Sequence, residues 1–216
     1  MRLLETAGEV FAERGYRDAT VREICTRAGA NIAAVNYYFK GKEGLYAEVV
    51  KHAQCCMRRD YPLTVDPGAA AQDRLAAFIR AFLRRVLDDA RPAWHTKLMS
   101  REMVEPTAAL DQVVADTIRP TFGVLGSILA ELMPEATPEQ LQLTGASIVG
   151  QCLMHRHCRP VLERLFPGHK YGERELEALA EHVVAFSLAG VRSLAKGAQA
   201  AAPNTASAPR AKRRSA

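Results

Sequence analysis

Aromatic residues are scarce in this chain, 6% of 216 residues. Ala and Leu fill the space instead, a mix that leans towards helix by intrinsic propensity. No 18 apolar residues run together, so neither a transmembrane helix nor a membrane partner is expected. No segment alternates polar and apolar residues for long, which argues against half-buried strands. The opening MRLLETAGEVFAERG carries acids inside its apolar run, which excludes a secretory signal peptide. Cys25, Cys55, Cys56, Cys152 and Cys158 are an odd count without framework spacing. Free thiols in a reducing cytoplasm are expected. No internal repeat is present. Nor is there a nucleophile elbow, phosphate loop or zinc-hydrolase motif, and Asp88-Asp89 reads as a charged helix end. The chain is therefore not expected to be an enzyme or to need a cofactor.

Charge is unevenly placed. Residues 1–59 hold 10 Lys/Arg against 7 Asp/Glu, residues 60–195 hold 14 against 17, and residues 196–216 hold 5 against none. A polyanion would meet the ends, not the mildly acidic middle.

The expected architecture is all-α. Leu3 to Arg14 places Leu3, Ala7, Val10 and Phe11 on one helical face, and Gly15 ends the run. Thr20 and Glu23 have capping-box spacing. Val21, Ile24 and Ala28 make a short apolar face, and Gly29 supplies a left-handed stop. Asn31 is an N-cap for a second short helix, Ile32 to Phe39. Two short helices joined by a Gly-containing turn form a helix-turn-helix pattern. A longer helix runs from Lys42 to about Arg59, with Leu45, Val49 and His52 or Ala53 on one side. The stretch Asp60–Ala70, with two prolines and a glycine, reads as an inter-domain connection. Further helices are expected over Asp73–Leu87, Trp94–Met103, Ala108–Leu132, Pro138–Cys158 and Glu173–Leu194. A kink is expected at Pro120 or one turn earlier. Residues 196–216 are read as a disordered basic tail. Its PRAKRRS run is a solubilising end or a loose DNA-backbone contact, the former preferred. The division is thus 1–59, 60–195 and 196–216.

The stretch RAGANIAAVNYYFKGKEGL, from Arg27 to Leu45, poses the functional question. Val35 and Phe39 are four apart and share a face, which should pack on Ile24, Ala28 and Phe11. Ala33, Asn36 and Tyr37 are left on the far side, where small residues let a helix press into a groove. Asn36 offers the donor and acceptor that suit an adenine edge. Tyr38 can hydrogen-bond a phosphate, and Tyr37 a base edge or a sugar. Lys42 stands at a helix start, where free N–H groups also attract anions. Asn31, the cap, belongs to the same surface.

These residues carry a resemblance. Phe11, Gly15, Tyr16, Thr20, Ala28, Gly29, Tyr37, Phe39 and Lys42 follow the pattern of the DNA-binding domain of the TetR/AcrR family, over about residues 1–52. The resemblance implies a three-helix DNA-binding head on a helical body that dimerises and holds an inducer pocket. It implies phosphate contacts from Thr20, Tyr38 and Lys42, and base contacts from Arg22, Ile32, Ala33, Ala34, Asn36 and Tyr37. Three departures stand out: Asn36 where the family commonly has Tyr, Gly41 where a capping Ser is usual, and no basic arm ahead of the first helix. In the body, SREMVEPTAAL and IRPTF are similar to the CecR-like subgroup, whose members are drug- or stress-responsive.

The resulting expectation is a cytoplasmic repressor that binds a palindromic double-stranded operator as a homodimer. The dimer would form through 138–158 and 173–194, where Ala146, Gly150, Ala185, Ala189 and Gly190 permit close approach. An apolar or drug-like inducer would favour a conformation with wrongly spaced heads. Trp94, His95, Leu98, Met99, Met103, Phe122 and His155 are the expected ligand-binding residues. In QCLMHRHC, Cys152, His155 and Cys158 lean one way and His157 another. Zinc or copper would suit such ligands, but without a second cluster a bundle helix with buried cysteines is preferred. Arg101 and Glu105 are spaced to pair, either as a solvated pair or, if buried near Glu102, as a switch element. The alternatives are a helical protein-interaction module and, further off, an enzyme. Steep salt dependence would mark DNA binding.

Overall fold

Gly15 breaks the first helix. Helix α1 runs Arg2–Asp18, with Gly15 at φ 83°, ψ 167° inside it. That left-handed φ is open to glycine at no steric cost. The α-helical backbone stops there, as the sequence predicts, and a second short helical segment carries the chain on to Asp18. Helices α2 (Val21–Ala28), α3 (Ile32–Phe39) and α4 (Lys42–Asp60) follow. Between α2 and α3, Gly29 sits at φ 64° as expected, and Asn31 Oδ1 accepts from Ala33 N at 2.8 Å. The capping box forms by half. Thr20 Oγ1 accepts from Glu23 N at 3.1 Å, but the Glu23 carboxylate turns to Arg27 at 2.7 Å. A charge-assisted partner outweighs a neutral backbone N–H there.

The computed structural model describes residues 2–87, 92–168 and 171–201. The expectations for Asp88-Asp89 and for the basic run after residue 201 lie outside the described residues. Beyond the extended 61–70 connection come α5 (Ala71–Leu87), α6 (Ala93–Val104) and α7 (Ala109–Val113). Then follow a π-helical turn (Val114–Ile118), α8 (Arg119–Leu132), α9 (Pro138–His157), α10 (Arg159–Leu165) and α11 (Glu173–Ala201). No strand occurs among the described residues. Helix α10 was not anticipated; its Arg159-Pro160 start reads equally well as a break. Residues 196–201 are helical, where a disordered tail was expected. The apolar positions of α11 continue at least to Ala198, which is buried.

Two hydrophobic cores organise these elements. The first gathers Phe11, Ile24, Val35, Leu45 and Val49 of the N-terminal helices, and also Trp94 and Leu98 of α6 and Ala109 and Val113 of α7. The second lies around α5 and takes Phe78, Ile79, Leu125, Ile128, Ile148 and Val183 from the body helices. Ala109–Leu132 and Glu173–Gln199 are long and apolar enough to cross a membrane by length and composition alone. Here α8 and α11 both pack on α5, although only 28% of each window is buried in the single chain.

The π-helical turn sits where the kink was expected. Pro120 has no N–H to give the carbonyl of Asp116, four residues back. Arg58 Nη1 of α4 takes that carbonyl instead, at 2.7 Å. A defect in one helix thus becomes a tether to another.

Candidate nucleic-acid interface

Helix α3 is held from one side only. Val35 is fully buried in the first core and Phe39 packs half-buried against it. Asn31, Ile32, Ala33, Ala34, Asn36, Tyr37 and Tyr38 all face outward. Tyr37 is 80% and Tyr38 75% exposed, which for large aromatics marks a binding surface more than a core. Their rings meet edge to face at 5.1 Å. No acidic residue falls between Asn31 and Lys42, so nothing on this rod repels a phosphate. The surface is shallow because Ala33 and Ala34 project little, and Asn36 is the group on it best suited to read a base edge.

Thr20 and Arg22 are also exposed, at the start of α2. Lys42 is half-buried and committed: its Nζ donates to the Arg17 carbonyl at 2.9 Å and lies 4.8 Å from the Tyr16 ring centroid. The structure thus gives Lys42 the work of holding the end of α1. Lys40, passed over in the sequence, is exposed and ends α3 at φ 57°. Gly44 sets how close α3 and α4 lie, since a Cβ there would fall 1.9 Å from the Phe39 carbonyl oxygen.

The head is tied to α6 and the following turn through polar bonds. Tyr46 Oη donates to Glu102 Oε2 at 2.5 Å. Thr107 N and Oγ1 donate to Glu102 Oε1 at 2.8 and 2.9 Å. Glu102 is fully buried, and burial together with the Glu102 hydrogen bond pushes the Tyr46 phenol far above its ordinary pKa. Arg101 does not take Glu105. Its guanidinium crosses Gly15 and donates to the carbonyls of Ala12 and Glu13 at 3.0 and 3.1 Å. Carbonyls left open at the helix bend offer a better-placed acceptor than a solvated carboxylate. Alongside, Trp94 Nε1 donates to Glu5 Oε2 at 3.0 Å and His52 Nε2 lies 2.9 Å from Glu5 Oε1. Burial raises the Glu5 carboxyl, and the His52 and Trp94 hydrogen bonds more than offset it, leaving its pKa lowered.

With this geometry in view, similarity to known proteins decides the family. The model of bacterial regulatory proteins of the tetR family matches residues 3–49. The C-terminal domain of the HTH-type transcriptional dual regulator CecR matches residues 71–191, more than half the chain. The chain belongs to the TetR family. The CecR regulator of Shigella flexneri is 29% identical over 167 residues, 71% of this chain and 74% of that protein. The fatty acid metabolism regulator protein of Bacillus subtilis is 26% identical over 131 residues, 61% of this chain and 66% of that protein. Two solved structures share the fold. FadR from Bacillus subtilis in complex with stearoyl-CoA has a TM-score of 0.63 at 21% identity, covering 88% of this chain and 98% of that one. A regulatory protein in the tetR family from Rhodococcus RHA1 has a TM-score of 0.64 at 23% identity, covering 88% and 95%. This TetR-family chain is a DNA-binding transcriptional regulator, and its relatives are regulators, not enzymes.

The residues expected to bind ligand are not brought together in this TetR-family body. Trp94, His95 and Leu98 are buried in the first core, against the head. Met99 packs beside them and accepts from Gln54 Nε2 at 3.0 Å. Met103 and Phe122 are exposed, and His155 Nδ1 lies 3.4 Å from Tyr171 Oη on another side of the bundle. Trp94, His95 and Leu98 share a buried face that Met103 does not join, and a face packed on the head looks the same in sequence as one lining a cavity. Cys152 of the Cys/His segment is buried in the second core, where burial pushes its thiol up to about 12. A cleft of about 1110 Å³ does open between head and body. Tyr46, Gln54, Arg58, Arg101, Thr107 and Asp116 line it.

Proposed function

We propose that this regulator binds a palindromic operator as a homodimer, reads bases with α3, and represses until a small apolar ligand releases it. The single observation that carries the DNA-reading surface is α3 itself, anchored by Val35 and otherwise open to solvent. Arg22, Ile32, Ala33, Ala34, Asn36 and Tyr37 form the base-reading face. Thr20, Tyr38 and Lys42, with Asn31 at the cap, address the phosphates, which set register while base edges set sequence. Residues 1–59 form the DNA-binding head and 60–195 the body, in a protein working in the cytoplasm beside its operator.

Dimerisation is supported by unpartnered apolar surface on α9 and α11. Leu143, Met154, Phe186 and Leu194 are all more than half exposed. Small residues beside them, Gly150 and Gly190, have nothing within 4 Å of where a Cβ would stand. An antiparallel pairing of these helices across a two-fold axis places two heads on successive major grooves, about 34–36 Å apart for one turn of B-DNA.

Ligand release is supported by relatives of the same family, one of which is solved with stearoyl-CoA. In this chain an apolar ligand acting on α6 and α7 would act on the head directly, because both helices share the head's core. It shifts head spacing by favouring one arrangement of that joint. The test is selection of duplexes from random DNA by the full-length protein, followed by a screen for compounds that release the selected duplex. The expected winner is a palindrome bound by paired protomers, with affinity falling steeply with salt. Failure to retain any duplex at low salt overturns the reading.

A further inference from the structure

Glu5 of α1, His52 of α4 and His95 of α6 place one ligand atom each within 4.8 Å of one another. We propose that these three residues form a divalent transition-metal site, suited to zinc, that joins the head to α6. The donor set is two imidazoles and a carboxylate, which zinc accepts in three-ligand sites with a further position left to water. Imidazole donors disfavour magnesium and calcium, which prefer oxygen.

The surroundings prepare these groups for an ion. Trp94 Nε1 holds Glu5 Oε2 at 3.0 Å, so the other oxygen, Oε1, is the one turned to His52 at 2.9 Å. A ligating carboxylate fixed through its second oxygen is the usual outer-shell arrangement. His95 is buried and stands edge to face with Trp94, ring centroids 4.0 Å apart. Gly8, one turn along α1 from Glu5, lets the Trp94 ring lie against the helix; a Cβ there would come within 2.4 Å of the indole. The site is reachable from solvent, since the Glu5 side chain is 41% and the His52 side chain 22% exposed. Bonds of about 2.0–2.2 Å to one ion need donors roughly 3.4 Å apart. The Glu5–His52 pair nearly meets this, and side-chain rotation of about an ångström brings in His95. Coordination uses both imidazoles in neutral form and the carboxylate in ionised form.

The experiment is titration of Zn²⁺ into metal-stripped full-length protein without DNA, so its result is independent of operator binding. One ion per chain is expected, with a raised melting temperature. Glu5→Gln keeps an acceptor for Trp94 but removes the charge, and His52→Ala removes a donor from a partly buried position. Each is expected to weaken binding at least tenfold while the far-UV spectrum and tryptophan emission stay native. A Co²⁺ titration separates this site from the Cys152–Cys158 segment. The expected spectrum shows visible bands that disappear in His52→Ala and persist in Cys158→Ser. The proposal is overturned if folded wild-type protein takes up no stoichiometric ion. Unchanged affinity in both Glu5→Gln and His52→Ala overturns it as well. His95→Gln serves as the third variant should either of these fail to fold.

Discussion

Tyr46 Oη on α4 donates to Glu102 Oε2 on α6 at 2.5 Å, joining residues from opposite sides of the Asp60–Ala70 connection. Both are buried, and Glu102 is otherwise held by Thr107 alone among the hydrogen bonds described. Tyr46→Phe leaves a buried carboxylate short of a donor, so a loss of about 1–3 kcal/mol at neutral pH is expected in urea unfolding. Glu102→Gln in the same background should recover part of it, because the two residues act as one unit. The pH dependence has a definite sign. Tyr46 has a raised pKa in the folded state. Its contribution is therefore complete below the ordinary tyrosine value of about 10 and declines as pH rises beyond it. The stability gap between wild type and Tyr46→Phe narrows above about pH 10; a gap that widens there refutes the assignment.

The head was legible because its signals are local. Gly29, Asn31 and the Val35–Phe39 spacing each dictate backbone or face over a few residues, and the structure places all of them as the pattern requires. The joint between head and body was not legible in this way. Arg58 meets Asp116, Tyr46 meets Glu102 and Glu5 meets Trp94 across 58, 56 and 89 residues. No periodicity within one helix specifies such partners. The same limit explains Trp94, His95 and Leu98: an apolar face is readable, but what covers it is not. Lys42 shows a subtler case, in which a family phosphate position is also a structural clamp on Arg17.

Asn36 and Tyr38 should separate specificity from affinity. Asn36 faces outward in the middle of α3, so Asn36→Ala is expected to cost about 1–3 kcal/mol on the selected operator and to relax preference at a single base pair per half-site. Tyr38→Phe removes the hydroxyl proposed to meet a phosphate and should weaken all duplexes alike. Fluorescence anisotropy on the operator and on single-base variants reads both. A Tyr38→Phe change that depends on sequence contradicts the assignment of that residue.

Gly44 fixes the recognition helix against α4. A methyl group there meets the Phe39 carbonyl oxygen at 1.9 Å, and backbone cannot rotate out of the way. Gly44→Ala must therefore displace the end of α3, at an overpacking cost of about 1–3 kcal/mol. Operator affinity should fall far more than helix content, measured by anisotropy and far-UV circular dichroism on the same sample. Undiminished binding would show that α3 does not need its present position.

The thiols should divide by burial. Cys55 is exposed, while Cys25 and Cys152 are buried. Burial raises both buried thiols, Cys152 to about 12, so neither carries appreciable thiolate at pH 8. Alkylation followed by peptide mass mapping should label Cys55 first, with Cys152 modified only as the fold opens. Rapid native-state labelling of Cys152 would contradict its place in the second core.

Phe186 on α11 and Leu143 on α9 are each 63% exposed in the single chain and line one small groove with Ser147, Gly190 and Leu194. If these helices pair across a two-fold axis, one substitution enters the interface twice. Phe186→Glu then sets two carboxylates in an apolar contact, and a charge desolvated without a partner is strongly unfavourable. Sedimentation velocity should show the dimer replaced by monomer. Because the side chain is open to solvent in the protomer, its thermal unfolding should move little beyond the dimer contribution, within about 0.5 kcal/mol. Operator affinity should fall with the dimer, since each half-site alone loses the effective concentration that linkage supplies. Ala130→Glu, at an exposed position on α8, is the control: it adds the same charge to a helix outside the proposed interface and should leave the dimer intact. Dissociation by Ala130→Glu with none by Phe186→Glu would move the interface to α8.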